Sequence, residues 1–132
     1  MRKAWSIAAA LALVGGPALA ADPTGNWLVK DQTAIIRIAP CANAYCGTIA
    51  WTSQPGLDEN NPDPTKRNRP IVGTQILLGM KPTAANRWDG EIYNPENGKT
   101  YSGHIVLTDP NLLRVEGCLL IFCGGENWTR AR

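Results

Sequence analysis

The chain is organised around one segment, Leu57-Asp58-Glu59-Asn60-Asn61-Pro62-Asp63-Pro64-Thr65-Lys66-Arg67-Asn68-Arg69-Pro70-Ile71-Val72-Gly73, the longest stretch of the 132 residues without strand-like alternation. Its charges are ordered, with three acids first and three bases after them, namely Asp58, Glu59, Asp63, Lys66, Arg67 and Arg69. Asp63 followed by Pro64 predicts one helical turn, because Asp caps a helix N-terminus and Pro fits the first helical position. The sequence on both sides has the pattern of short β-strands, so the segment is expected to be the long connection of an all-β domain.

Eight short strands are predicted around this segment, at residues 25–30, 33–39, 47–51, 74–80, 87–93, 100–107, 112–117 and 126–130. The clearest hairpin joins the fifth and sixth strands, where Asn97-Gly98 supplies the backbone angles of a tight turn. No predicted helix is long enough to cross over between parallel strands. Because an antiparallel sheet must protect its edges, the pattern predicts a small eight-stranded antiparallel barrel, closed or nearly closed.

The first twenty residues have the pattern of an export signal. Arg2 and Lys3 precede an apolar region from residue 4 to about residue 14, and Ala18-Leu19-Ala20 fits a small-x-small cleavage site. The alternative is a membrane anchor, but the apolar run is shorter than the roughly 20 residues that span a bilayer. We therefore expect a signal peptide at 1–20, a mature domain at 21–132 without a transmembrane segment, and a periplasmic or secreted protein.

The charge balance excludes an electrostatic argument for a polyanionic partner. The chain has 13 Lys and Arg residues against 11 Asp and Glu residues, and two of the basic ones, Arg2 and Lys3, lie in the expected signal. The remaining domain is neutral, so neither nucleic acid nor an anionic membrane is indicated. No cofactor is predicted.

The four cysteines form two groups of equal spacing, Cys41 with Cys46 and Cys118 with Cys123. Four cysteines allow three disulfide connectivities. The two local pairs are favoured because each would join the arms of a hairpin, and because disulfides persist outside the cytoplasm. A thiol metal site is the alternative, although structural zinc sites usually have closer Cys spacing.

The two ends of the expected domain resemble the closing motif of lipocalin-type barrels. In such barrels, a Gly-x-Trp of the first strand packs under an Arg of the last strand. Here Gly25-Asn26-Trp27 opens the domain and Trp128-Thr129-Arg130 closes it. The resemblance implies a cation–π contact between Trp27 and Arg130, worth about 0.5–2 kcal/mol.

Nearly the whole domain is similar to the bacterial exported family known as domain of unknown function 2147. The matching residues are Gly25-Asn26-Trp27, Cys46-Gly47-Thr48-Ile49, Asp58-Glu59-Asn60-Asn61-Pro62-Asp63-Pro64, Arg67-Asn68-Arg69-Pro70, Ile71-Val72-Gly73, Ile92-Tyr93-Asn94-Pro95-Glu96-Asn97-Gly98-Lys99-Thr100-Tyr101 and Trp128-Thr129-Arg130. This resemblance implies a lipocalin-like barrel in the cell envelope or outside the cell. It implies no catalytic residue set. The chain has Asn94 where the family pattern often has Asp.

The long segment has three interpretations. In the first, its Asp and Asn residues form local turns and its Arg residues pair with acids, so that it is a structural loop. In the second, Arg67 and Arg69 lie at the barrel mouth and bind a carboxylate or phosphate. The third is calcium binding by oxygen donors, which lacks the EF-hand spacing. Its donors would be Asp58, Asn60, Asn61 and Asp63.

Aromatic residues outside the segment either line a cavity or form the core of so small a domain. They are Trp51, Trp88, Tyr93 and Tyr101. An eight-stranded barrel is either filled by side chains or holds one small ligand. Because the predicted strands are short, any cavity is expected to be shallow.

An enzyme is the less favoured reading. A nucleophilic triad would need His104, the only histidine, and Ser102 beside it lacks a nucleophile elbow. Paired carboxylates for glycoside cleavage would come from Asp58 with Glu59 or from Glu91 with Glu96.

The leading hypothesis is therefore non-enzymatic binding of a small amphipathic or acidic ligand. Its apolar part would contact Trp51, Trp88 and Tyr93, and its polar part would meet Arg67 and Arg69. The first alternative is a filled barrel whose surface binds an envelope protein. The second is a carboxylate-dependent hydrolase.

Overall fold

The computed structural model describes residues 21–131, and the expected signal peptide lies outside the described residues. Eight strands follow one another as β1 Gly25–Leu28, β2 Ala34–Cys41, β3 Ala44–Thr52, β4 Gln75–Ala84, β5 Arg87–Asn94, β6 Lys99–Asp109, β7 Leu112–Leu119 and β8 Phe122–Arg130. Each pairs antiparallel with the next, and β8 pairs with β1 to close the barrel. The predicted closed all-β barrel is confirmed.

The two ends of the barrel differ. We call the end with the β2–β3, β4–β5 and β6–β7 turns the closed end, and the other the open end. The open end carries the β1–β2 and β5–β6 turns, the long β3–β4 connection and the tip of the β7–β8 hairpin. The buried core is built from side chains that alternate inward along the strands, among them Trp27, Ile36, Ile38, Leu77, Met80, Ile105, Leu113 and Trp128.

Trp27 and Arg130 seal the closed end. The Arg130 guanidinium carbon lies 4.3 Å from the centroid of the Trp27 ring. The same guanidinium donates to the carbonyl oxygens of Thr24 at 2.7 Å and Pro110 at 2.9 Å. The buried indole N–H of Trp27 donates to Pro23 at 2.8 Å. The contact that the lipocalin resemblance implied is therefore present, and hydrogen bonds hold both partners in place.

The strand ends differ from the expected ones for local reasons. β1 stops at Leu28, because the chain turns through Gln32, whose φ is 65°. The predicted fourth strand ends at residue 80, but β4 continues to Ala84 through irregular pairing around Pro82. The turn comes at Asn86, whose φ is 62°. Only the single turn Pro64–Lys66, capped by the Asp63 side chain, is helical within residues 21–131, and no helix there is long and apolar enough to cross a membrane.

Both local disulfides are present, and they lie within ladders. Cys41 is bonded to Cys46 and Cys118 to Cys123. The predicted third and eighth strands begin at residues 47 and 126, but each bridged hairpin closes with a two-residue turn, so β3 begins at Ala44 and β8 at Phe122. Cys118 lies directly opposite Cys123, whereas Cys41 lies opposite Ala44.

Candidate functional site

A row of four glycines crosses one wall of the barrel. Gly90 pairs with Gly103, Gly103 with Gly117, and Gly117 with Gly124, on strands β5 to β8. By strand alternation the row lies on the inner face. The Ile92 side chain covers Gly103, whereas a Cβ at Gly124 would meet nothing within 4 Å. The wall is therefore bare at Gly124, whereas a Cβ at Gly117 would meet Tyr101 at 3.7 Å and Ile92 at 4.0 Å. The missing side chain at Gly124 leaves room inside the barrel.

That room is a cavity of about 740 Å³ that begins at the open end. Its volume falls in the range of small-molecule sites, roughly 300–1,000 Å³. The apolar part of the lining includes Ile36, Ile49, Ile76, Ile92, Leu119, Phe122, Val115 and Trp128. The strands have up to 11 residues, and the cavity is larger than the shallow one expected from shorter strands.

All charged residues that line the cavity are acidic, namely Asp31, Glu96 and Glu126. Glu126 is half-buried, whereas Asp31 and Glu96 are exposed, and it alternates inward on β8 two residues before the buried Trp128. One of its oxygens, Oε2, accepts the indole N–H of Trp128 at 2.8 Å and the backbone N–H of Lys30 at 3.1 Å. The lining thus presents a fixed carboxylate among apolar side chains.

The long connection is organised by one buried carboxylate. Asp58 is 0% exposed and accepts hydrogen bonds from Tyr93 Oη at 2.7 Å and Asn61 Nδ2 at 2.9 Å. Arg69 donates to it from Nε at 3.2 Å and Nη2 at 3.0 Å. Burial raises the pKa of Asp58, but these hydrogen bonds and the charge of Arg69 outweigh it and bring the pKa below its usual range. Asp58 is therefore an ionised structural anchor.

Other contacts fix the same segment to the barrel. Asn60 donates to the carbonyl oxygens of Pro95 and Glu96 in the β5–β6 turn. Arg67 donates to the carbonyl oxygens of Asn61 at 2.7 Å and Pro62 at 3.4 Å. These contacts favour the first interpretation of the segment, that of a structural loop.

The structure brings only some of the expected ligand residues to the cavity. Tyr93 and Tyr101 border it. Trp88 instead packs in the core, edge-on against Tyr45 with ring centroids 6.1 Å apart, and Trp51 is 45% exposed. The remaining candidates lie on the long connection outside the cavity, and they are Asp58, Asn61, Asp63, Arg67 and Arg69. Three of these border a smaller depression of about 430 Å³, namely Asn61, Asp63 and Arg69.

Sequence reasoning missed Glu126, Leu119, Phe122 and the glycine row as cavity features. Glu126 was read only as the start of a strand. A signal for the row existed, because pairing the predicted hairpins places Gly90, Gly103 and Gly117 side by side. The β7–β8 pairing that adds Gly124 required knowing that the disulfide lies in the ladder.

The residues considered for catalysis do not form a nucleophilic site. His104 Nε2 lies 2.9 Å from Glu116 Oε1, and Arg114 donates to the other oxygen of Glu116 at 3.0 Å. The Arg114 hydrogen bond, with a smaller contribution from His104, holds the pKa of Glu116 below its usual value despite partial burial. No hydrogen bond joins Ser102 to His104, and residues 21–131 contain no group of three His, Cys, Asp or Glu suited to a metal ion.

The comparisons with known proteins agree with this architecture. A family model described as an uncharacterized protein conserved in bacteria, DUF2147, matches residues 25–130. The chain belongs to the DUF2147 family.

Among solved structures, this DUF2147 protein is similar to HP1028 of the human pathogen Helicobacter pylori, which is described as belonging to the lipocalin family. The TM-score is 0.76 at 17% sequence identity, and the match covers 84% of each chain. That identity supports a shared lipocalin-like fold only. Curated proteins give no match to the sequence.

Titration of Tyr93 tests the buried cluster directly. Burial, together with the hydrogen bond to Asp58, raises the pKa of Tyr93 from 10.0 to about 12. The unfolded chain ionises first, so the stability contributed by this phenol is full below pH 10 and is lost as the pH rises towards 12. We expect an absorbance titration at 295 nm to show a late step that disappears in Tyr93→Phe. A titration without that step would contradict the buried hydrogen bond between Tyr93 and Asp58.

Proposed function

We propose that this DUF2147 protein is a periplasmic or secreted, non-enzymatic carrier that binds a small amphipathic molecule inside its barrel. The cavity of about 740 Å³ carries the proposal, because its bare glycine wall leaves an apolar volume that a filled barrel would lack. Two disulfides fit a protein that works outside the cytoplasm.

The chemistry of the lining favours a neutral or cationic head group over an acidic one. Glu126, Asp31 and Glu96 would repel a carboxylate or phosphate, and a carboxylate inside an apolar wall attracts a donor or a cation. Arg67 and Arg69 give the acidic-ligand hypothesis little support, because both are already hydrogen-bonded within the long connection.

Filling the bare wall tests the proposal. The neutral fluorophore N-phenyl-1-naphthylamine should bind the unmodified protein with an increase in emission. In Gly124→Leu the new side chain points into open space, so we expect a dissociation constant at least about tenfold higher with little loss of stability.

Gly56→Leu is the matched control, because a Cβ there also meets nothing within 4 Å but lies on the long connection outside the cavity. Its affinity for the probe should equal that of the unmodified protein. Equal affinity in Gly124→Leu, or no probe binding by the unmodified protein, would contradict the proposal. Native mass spectrometry of protein purified from its own compartment would then give the mass of a retained natural ligand.

A further inference from the structure

The tip of the β7–β8 hairpin is apolar and points into solvent. Leu119, Leu120, Ile121 and Phe122 are 66%, 90%, 87% and 75% exposed. From residue 117 to residue 125 the chain has no charged side chain and no hydroxyl or amide side chain. Exposed apolar clusters of this kind usually mark an interaction surface.

The hairpin at the opposite end shows that the turn itself does not require these residues. Both hairpins have the same Cys spacing and a disulfide, and both turn through a residue with positive φ, 52° at Ala42 and 59° at Leu120. The closed-end turn uses Ala42-Asn43, whereas the open-end turn uses Leu120-Ile121. A leucine at positive φ is unfavourable compared with glycine or asparagine. Neither folding nor turn geometry therefore explains the large side chains.

The other large hydrophobic residues that are exposed in the described chain lie at the same end. Trp51 is near the end of β3, and Leu57 and Val72 are on the long connection that follows it. Charges of both signs lie near the mouth, including Lys30, Asp31 and the acidic Glu96. The tip is thus apolar and uncharged, whereas the charged side chains that line the cavity beside it are acidic.

The shape and chemistry of the tip favour a lipid surface over a protein partner. Protein interfaces combine an apolar centre with hydrogen bonds at a polar rim, and residues 117–125 offer no side-chain group for such bonds. A bilayer needs none, provided that the backbone is satisfied. The ladder continues to the Leu119–Phe122 pair, so only the two turn residues extend beyond it. The two residues of each arm beyond the disulfide reach about 7 Å, which lies within the depth of interfacial insertion, about 5–10 Å.

We propose that the disulfide-bonded tip, residues 118–123, inserts into the interfacial layer of a phospholipid membrane and docks the open end of the barrel on it. Leu119 and Phe122 border the cavity as well as the solvent. Insertion therefore places the cavity mouth against the acyl layer, where an amphipathic ligand enters or leaves without crossing water. Docking itself does not depend on the proposed ligand binding.

Vesicle flotation tests the docking. The purified disulfide-bonded protein is mixed with phosphatidylcholine vesicles, and parallel samples contain phosphatidylglycerol. We expect binding to both compositions with little salt dependence, because insertion is apolar. Leu120→Ala combined with Ile121→Asn copies the closed-end turn, and it should lower the partition coefficient at least about tenfold.

This double variant should fold normally, because both side chains are solvent-exposed, and its chemical denaturation curve checks that expectation. Its affinity for the fluorophore without vesicles should be unchanged, since neither residue lines the cavity. Adding Ala42→Leu and Asn43→Ile to it should restore flotation through the opposite end.

Two results would overturn membrane docking. One is a failure of the unmodified protein to float with either vesicle composition. The other is equal flotation of the unmodified protein and the tip variant. If light scattering then showed tip-dependent dimers in place of flotation, the tip would be assigned to contact with a second copy of the chain.

Discussion

Asp58→Ala is expected to lower the free energy of unfolding by about 3–5 kcal/mol, because breaking a buried ion pair leaves the remaining polar groups without a partner. Asp58 is fully buried and accepts hydrogen bonds from Tyr93, Asn61 and Arg69. Its removal leaves the Tyr93 hydroxyl buried without an acceptor and frees the long connection from β5. Urea denaturation at neutral pH measures the loss.

Asp63→Ala is the matched control. Asp63 lies on the same segment, but its carboxylate caps only the exposed single turn and accepts hydrogen bonds from Thr65. Losing such a cap costs about 1 kcal/mol. Similar losses in the two variants would show that burial of Asp58 is not what anchors the connection.

The pH dependence of stability separates the contribution of the Asp58 charge from the contribution of its packing. Since the folded pKa lies below the ordinary value of 3.8, the stability from this carboxylate is full above that value and is lost as the pH falls through the folded pKa. The free energies of unfolding of the unmodified protein and of Asp58→Ala should therefore become more similar below about pH 4. A difference independent of pH would assign the loss to packing alone.

Trp27→Ala is the second large effect, with an expected loss of about 3–5 kcal/mol from the buried volume. The side chain is 0% exposed, lies in the core and supports the Arg130 guanidinium that seals the closed end. The fall in Tm should be on the order of 15 °C. Differential scanning calorimetry measures it.

Trp51→Ala removes the same side chain from the half-exposed outer surface, so it should cost less than about 1 kcal/mol. Arg130→Met keeps much of the aliphatic stem but removes the cation together with its hydrogen bonds to Thr24 and Pro110, so the loss of stability should exceed the cation–π contribution of about 0.5–2 kcal/mol. Equal losses in Trp27→Ala and Trp51→Ala would contradict the role of Trp27 as the closing residue.

Local patterns predicted most of the barrel. Strand alternation, the Asn97-Gly98 turn and the Gly-x-Trp motif are short-range signals, and the predicted topology and closure follow from them. At the β5–β6 turn, however, only Gly98 has positive φ, 73°, and the turn spans residues 95–98. A Cβ at Gly98 would overlap the carbonyl oxygen of Asn60, so the glycine also allows the long connection to dock.

The site was harder to predict, because it depends on long-range register. The sequence shows aromatic residues and arginines, but it does not show that Arg69 is paired with Asp58 or that Trp88 lies in the core. The cavity lies where glycines leave out side chains. A search of the sequence for functional groups does not detect such positions. Gly117 and Gly124 become a wall only when β7 and β8 are aligned through Cys118 and Cys123.

At the bare wall, selection for a stable fold and selection for an empty cavity favour different residues. Glycine within a strand costs about 0.5–1 kcal/mol relative to alanine, and stabilising substitutions are usually easy to find. A larger residue at Gly124 meets open space, so selection for heat resistance alone would favour it and progressively shrink the cavity. Glycine at this position therefore lowers the free energy of unfolding, and in return the cavity keeps its volume.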